Sequence, residues 1–156
     1  MALFLVQHGI SAAKDIDPEK GLTEQGKTET ERIAKVAGSY GIPVERIVHS
    51  DKKRAIQTAA IFQEHLSLKT PPEIITGIHP QDDVRVFARK IHPESNLMVV
   101  GHMPFLQRLV SYLTTGSEDM KVYQFQNSGV VCLDAGKGAD GKADWFIKWT
   151  LNPHIS

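Results

Sequence analysis

The sequence predicts an α/β fold: a three-layer α/β/α sandwich whose central sheet is mostly parallel and is finished by antiparallel C-terminal strands. Three observations carry that expectation. Continuously apolar runs at 3–6 and 97–100, with a shorter apolar core at 47–48 in the segment 46–49, read as short strands buried on both faces. Stretches with apolar residues at helical spacing separate them. The last two apolar runs, 130–134 and 145–150, flank a Gly/Lys/Asp-rich loop instead of a helix, the pattern of an antiparallel pair.

Taken in order, Leu3-Phe4-Leu5-Val6 forms a buried strand that runs into Gln7-His8-Gly9 and places His8 at its carboxyl end. Thr23 is the expected N-cap of the first helix and Glu24 suits its positive dipole end, with Ile33, Val36 and Ala37 as its apolar stripe. Gly41-Ile42-Pro43 stops it. Arg46-Ile47-Val48-His49 is the second strand, followed by Ser50 as N-cap and Asp51 in the first turn of a helix through Ala59, Phe62 and Leu66. After Pro71-Pro72 come a brief strand at Ile74-Ile75 and a helix over 81–91 that buries Val84, Phe87, Ala88 and Ile91. The strand 97–100 leads into Gly101-His102, and a helix from about Pro104 carries Phe105, Leu109, Tyr112 and Leu113 until Gly116.

The 156 residues suit one domain spanning 1–156, enough to bury roughly two-thirds of the surface the unfolded chain exposes. Lys plus Arg and Asp plus Glu each total 18, so any anion preference has to come from a local cluster of cations, and nucleic acid is not favoured as a partner. The single cysteine, Cys132, lies in the apolar run Val130-Val131-Cys132-Leu133 and reads as a buried small hydrophobe that suits a reducing compartment. The apolar residues 3–6 are too few for a signal peptide or a membrane span, so a cytoplasmic protein is expected.

In an open parallel sheet ligands bind outside the carboxyl ends of the strands, so side chains from different strand ends share one site. Three ends carry candidates here: Gln7-His8-Gly9, the segment from Ser50 to Arg54, and Gly101-His102. A neutral imidazole attacks phosphorus through one nitrogen while its other nitrogen keeps a proton and is oriented by a backbone carbonyl. Arg54, one turn into a helix, can fork onto the phosphoryl oxygens, and His102 adds a donor.

These residues resemble the histidine phosphatase superfamily, also called phosphoglycerate mutase-like, and most closely its short SixA-type branch of phosphohistidine phosphatases. Leu5-Val6-Gln7-His8-Gly9-Ile10 is similar to the family's Arg-His-Gly signature, and Gly21-Leu22-Thr23-Glu24-Gln25-Gly26 to its Pro-Leu-Thr-x-x-Gly segment. The segment Ser50-Asp51-Lys52-Lys53-Arg54-Ala55-Ile56-Gln57-Thr58-Ala59 resembles that bearing the second phosphate-binding arginine, and Val99-Val100-Gly101-His102-Met103-Pro104 that holding the second histidine. The resemblance implies a phosphoglycerate mutase-like fold. It implies His8 as the phosphorylated nucleophile, Arg54 as a clamp and His102 as a donor, with Gln7, Gly9, Arg54 and His102 around the phosphate. A phosphorylated protein, such as a histidine-containing phosphotransfer protein, is the implied partner, with phosphate or another oxyanion in the site.

The sequence departs from the family at Gln7, where an arginine is expected, and at Met103, where the SixA-type pattern usually has asparagine. A neutral amide in place of a bidentate cation weakens transition-state stabilisation by ~2–4 kcal/mol, on the order of a hundredfold in rate. Losing that cation also lets His8 hold its proton more readily. Lys14, Lys20, Lys52 and Arg85 are the candidate substitutes. SixA-type members lack the carboxylic acid that assists an alkoxide leaving group, and only Glu73, Asp82 and Asp83 offer themselves here, the last two reading as residues at a helix start. Phosphohistidine, whose protonated imidazole leaves easily, is therefore the expected substrate. The alternatives are a small-molecule phosphomonoesterase and a phosphate- or phosphoprotein-binding module that lost turnover with the change at Gln7. His49, His65, His79, His92 and His154 have no paired zinc-type spacing and read as dispersed surface residues, so neither a metal nor another cofactor is expected.

Overall fold

The computed structural model describes residues 2–155. Strands β1 (Leu3–Gln7), β2 (Arg46–His49), β3 (Glu73–Ile74), β4 (Leu97–Gly101), β5 (Val130–Lys137) and β6 (Ala143–Leu151) alternate with helices α1 (Glu24–Tyr40), α2 (Lys53–His65), α3 (Val84–Ala88) and α4 (Phe105–Thr115). One six-stranded sheet results, in the order β3-β2-β4-β1-β5-β6. The pairs β1–β4, β2–β4 and β2–β3 are parallel, while β1–β5 and β5–β6 are antiparallel, as the sequence predicts.

The pleat sends alternate residues of each strand to opposite faces and so builds two cores. Phe4 and Val6 of β1 pack with Met98, Cys132, Ile33, Ala37, Ala59 and Phe62 beneath α1 and α2. Leu3 and Leu5 pack with Val99, Val131, Phe87, Phe105 and Leu109 beneath α3 and α4. The sheet is thus covered on both sides, which is what its continuous apolar runs demand. The parallel strands β1, β2 and β4 all finish at one edge, where the three candidate segments meet.

Local chemistry sets the helix ends. Thr23 caps α1, its Oγ1 accepting from Gly26 N–H at 2.9 Å, and Gly41 closes the helix at φ 63°, a left-handed conformation that favours glycine. The second helix departs from expectation: it starts at Lys53 with no side-chain cap, so Asp51 lies outside it and Ser50 is not the N-cap. The third runs only from Val84 to Ala88, not over 81–91, because Asp82 and Asp83 turn their carboxylates onto nearby amides. Asp82 Oδ2 accepts from His79 N–H at 2.8 Å, a local bond that competes with helix, whereas Asp83 Oδ1 accepts from Arg85 N–H at 2.9 Å as the N-cap that starts α3. The brief strand is Glu73–Ile74, one residue earlier than expected. The C-terminal hairpin is longer than predicted: its ladder absorbs Ala135, Gly136 and Lys137 opposite Trp145, Asp144 and Ala143.

Cys132 is buried and unpaired, and burial pushes its thiol up to about 11. Among the described residues no helix is long and apolar enough to cross a membrane.

Candidate active site

The three strand ends converge. His8 follows β1 directly; its N–H bonds to Gly101 O at 3.1 Å and its carbonyl accepts from Asn127 Nδ2 at 2.9 Å. The preceding carbonyl, that of Gln7, accepts from Ser128 N–H at 2.9 Å. The backbone that presents the imidazole is therefore pinned from β4 on one side and from the segment entering β5 on the other.

The ring is oriented just as firmly. Its Nδ1 lies 2.8 Å from Gly9 O, and because a carbonyl only accepts, Nδ1 carries the proton and Nε2 a lone pair. Arg54 Nε–H donates to that Nε2 at 3.3 Å. Burial, opposed by the Gly9 bond and reinforced by the charges of Arg54 and Lys20, lowers the His8 pKa to about 4, so the ring is neutral at physiological pH.

Gly9 does not play the role expected of it. Its N–H is spent on Thr58 Oγ1 at 3.0 Å, so the amide is not free for a phosphate; Gly9 contributes the carbonyl that orients His8. Thr58 Oγ1 in turn donates to Arg54 O at 2.8 Å, locking the first turn of α2 against the loop after β1. A side chain at Gly9 has no room, since a Cβ there would lie 2.6 Å from Thr30 Oγ1. Gly26 allows an equally close approach of α1 to Ile10 O, which gives the Gly21-to-Gly26 segment a packing role.

His102 follows β4, is 1% exposed, and lies with its ring centroid 5.1 Å from that of His8. Its Nε2 is 2.5 Å from Ser50 Oγ, while its buried Nδ1 has no partner among the described residues. Burial first, then electrostatic interaction with His8, Arg54, His79 and Lys52, lowers its pKa to about 3. Arg54 is itself partly buried, which lowers its pKa without discharging a guanidinium.

Gln7 ends β1 on the face of Leu3 and Leu5, by the alternation of the strand. Of the candidate substitute cations, Arg85 is paired with Glu118 at 2.8 Å and is not available. Lys20 and Lys52 are exposed, and their charges bear on His8 and His102 respectively. Lys14 is exposed and none of the ion pairs found among the described residues involves it. The carboxylates considered as acids are all engaged: Glu73 with Arg46 at 2.8 Å, Asp82 and Asp83 with backbone amides.

Not all the remaining histidines lie on the surface. His49 is buried, its Nδ1 2.8 Å from Ser50 O; His79 pairs with Asp51 at 2.8 Å and His154 with Glu29 at 2.7 Å. The sequence reading placed Ser50 in a candidate segment but as a helix cap, and did not single out Thr58 or Asn127. Thr58 had a signal, standing one helical turn after Arg54; Asn127 had none, because it arrives from 119 residues away.

Residues 3–79 match the family model described as the histidine phosphatase superfamily (branch 1), a span that includes His8 and Arg54. The chain belongs to the histidine phosphatase superfamily. Within that superfamily it falls with the SixA-type branch. Phosphohistidine phosphatase SixA of Escherichia coli (strain K12) is 25% identical over 152 residues, covering 93% of this chain and 92% of that protein. An uncharacterized protein of Picosynechococcus sp. is 28% identical over 144 residues, covering 87% and 86%. The structure of the protein histidine phosphatase SixA complexed with tungstate superimposes with a TM-score of 0.83 at 23% identity, covering 98% of this chain and 97% of that one. The architecture is thus the phosphoglycerate mutase-like fold of SixA.

Proposed function

We propose that this chain is a single-domain cytoplasmic phosphatase whose His8 takes a phosphoryl group from a phosphohistidine on a partner protein and passes it to water. A histidine-containing phosphotransfer protein is the kind of partner that presents such a group. The observation that carries the reading is the His8 ring: Nδ1–H committed to Gly9 O, Nε2 unprotonated, and a guanidinium 3.3 Å from it.

In the first step Nε2 of His8 bonds to phosphorus as the bond to the partner's imidazole breaks, and that imidazole, already protonated on its other nitrogen as a phosphoimidazolium, leaves as a neutral ring. In the second, a water oxygen bonds to phosphorus, the P–Nε2 bond breaks, and inorganic phosphate departs while His8 returns to its neutral form. Arg54 blocks the Nε2 lone pair at rest, so attack requires its Nε–H to move onto a phosphoryl oxygen. The cation that helps keep the ring deprotonated then holds the charge on the transferring group. His102 supplies a second donor and Gln7 a neutral one. Glu73, Asp82 and Asp83 are bound elsewhere, and a phosphohistidine leaving group demands little of an acid. That the Escherichia coli relative is a phosphohistidine phosphatase, and that the SixA structure is a complex with tungstate, a tetrahedral oxyanion, support this reading.

Gln7 favours a second reading, a phosphoprotein-binding module without turnover. One experiment separates the two: wild type, His8→Ala and Gln7→Arg are incubated with a phosphohistidine-bearing protein, and acid-labile phosphoenzyme and released phosphate are measured. The phosphatase reading expects phosphoenzyme in wild type, none in His8→Ala, and faster turnover by roughly tenfold or more in Gln7→Arg. If wild type and His8→Ala are equally inert while Gln7→Arg turns over, the binding module is correct.

A further inference from the structure

His102 is a neutral ring with one N–H to give, and which nitrogen carries it decides whether the ring can donate to a phosphoryl group. Two buried side chains settle that choice. Ser50 Oγ, fully buried, has two polar neighbours among the described residues: His102 Nε2 at 2.5 Å and the N–H of Lys52 at 3.3 Å. The Lys52 amide can only donate, so it occupies a lone pair of Oγ and leaves the serine's own proton to be placed.

If His102 carried its proton on Nε2 and gave it to Ser50, the serine O–H would have no acceptor and Nδ1 would be a buried lone pair with no donor. If instead Ser50 donates to Nε2, the serine is satisfied on both sides and a single buried group is left over, the Nδ1–H of His102. Buried polar groups go unpaired only rarely, so the arrangement with one orphan prevails over that with two. That orphan belongs to the ring 5.1 Å from the His8 ring, where a transferring group has to sit.

We propose that Ser50 is a positioning residue that fixes His102 as its Nδ1–H tautomer, aiming the ring's one proton at the phosphoryl oxygens. The inference rests on the phosphatase reading for its consequence, although the tautomer itself is a property of the free protein. It also gives a reason for Ser50 to sit at the end of β2 outside the helix: its hydroxyl serves the neighbouring strand's histidine instead of capping α2.

The test uses the full chain and the variants Ser50→Ala, Ser50→Thr, His102→Ala and Ser50→Ala/His102→Ala. Long-range nitrogen–proton correlation spectra report the His102 tautomer without any substrate. Wild type and Ser50→Thr are expected as the Nδ1–H form, Ser50→Ala as a mixture. With a phosphohistidine protein as substrate, Ser50→Ala is expected to lose about tenfold in kcat with KM within about twofold, Ser50→Thr to recover most of it, and Ser50→Ala to cost nothing further beside His102→Ala. A wild-type Nε2–H tautomer overturns the proposal, as does a Ser50→Ala protein with unchanged tautomer and rate. So does an additive loss in the double variant, which would mark Ser50 as merely structural. Wild type in the Nδ1–H form but without turnover sinks the phosphatase reading and leaves the tautomer assignment standing.

Discussion

The parallel half of the sheet and its antiparallel half contribute to the site in different ways. From β1, β2 and β4 come the side chains that meet in the candidate site: His8, Arg54 through the helix after β2, and His102. From the segment entering β5 come Asn127 and Ser128, which bond to the main chain of His8 and Gln7, and Ser128 Oγ also meets Thr30 Oγ1 at 2.7 Å. A parallel strand must leave the sheet through a loop at its carboxyl end, so it can carry a reactive side chain there without spending it on the next turn. The antiparallel chain arrives from outside and meets backbone groups that β1 left unpaired. Reactive groups and bracing groups thus come from topologically distinct parts of the chain, and the two parts can be tested separately.

The largest effect is expected on the parallel side. Arg54→Ala removes the cation beside the proposed nucleophile and should lower kcat/KM by about 10²–10³, with Arg54→Lys in between, because an ammonium cannot reproduce the forked contact. Steady-state dephosphorylation of a phosphohistidine protein measures it. The same substitution removes one of the charges that keep His8 deprotonated, so the His8 pKa should rise above about 4; burial, the larger cause, keeps it below the ordinary histidine value. A loss below threefold in Arg54→Ala would mean that the chemistry is not concentrated at these strand ends.

Next in size is acid sensitivity. Both rings are held neutral, at pKa values of about 4 for His8 and about 3 for His102 against an ordinary 6.5. As pH falls below 6.5 the unfolded chain binds protons that the folded one refuses. Stability from these two sites is therefore complete above about 6.5, declines toward 4, and continues to fall toward 3. Because His8 is only partly buried, solvent trims its share, and a combined loss on the order of 3 kcal/mol by pH 4 is expected. Urea unfolding midpoints between pH 7 and 4 follow it, and His8→Asn should flatten the slope. An identical slope in His8→Asn and wild type would count against burial as the cause.

Much of this was legible in the primary structure because it lies in short local patterns. Apolar runs such as 97–100 announce buried strands, Thr23 and Gly41 announce the ends of a helix, and a histidine or arginine just past a strand declares its position. What escaped depends on distance or competition. Ser50 has a cap-forming side chain in a cap-like place, and only the fold brings His102, 52 residues on, close enough to claim the hydroxyl. Gly9 offers an amide at the right point, but Thr58, 49 residues away, takes it. Asp82 and Asp83 look like the start of a longer helix until the amide of His79 draws one of them aside.

The smallest effect belongs to the antiparallel side and is the sharpest check on the division. Asn127→Ala strips the bond to His8 O without altering the side chains of His8, Arg54 or His102, so it leaves one partly buried carbonyl short of a partner, a loss of about 1 kcal/mol in stability. The His8 carbonyl keeps its place through the neighbouring bonds of His8 N–H to Gly101 O and Ser128 N–H to Gln7 O, so the imidazole should shift little. Expected, then, are a lowered unfolding midpoint, kcat within about threefold of wild type, and an unchanged His8 titration. An Asn127→Ala protein as slow as Arg54→Ala, with its midpoint intact, would show that the segment entering β5 takes part in the reaction itself, and the line between reacting and bracing halves would have to be redrawn.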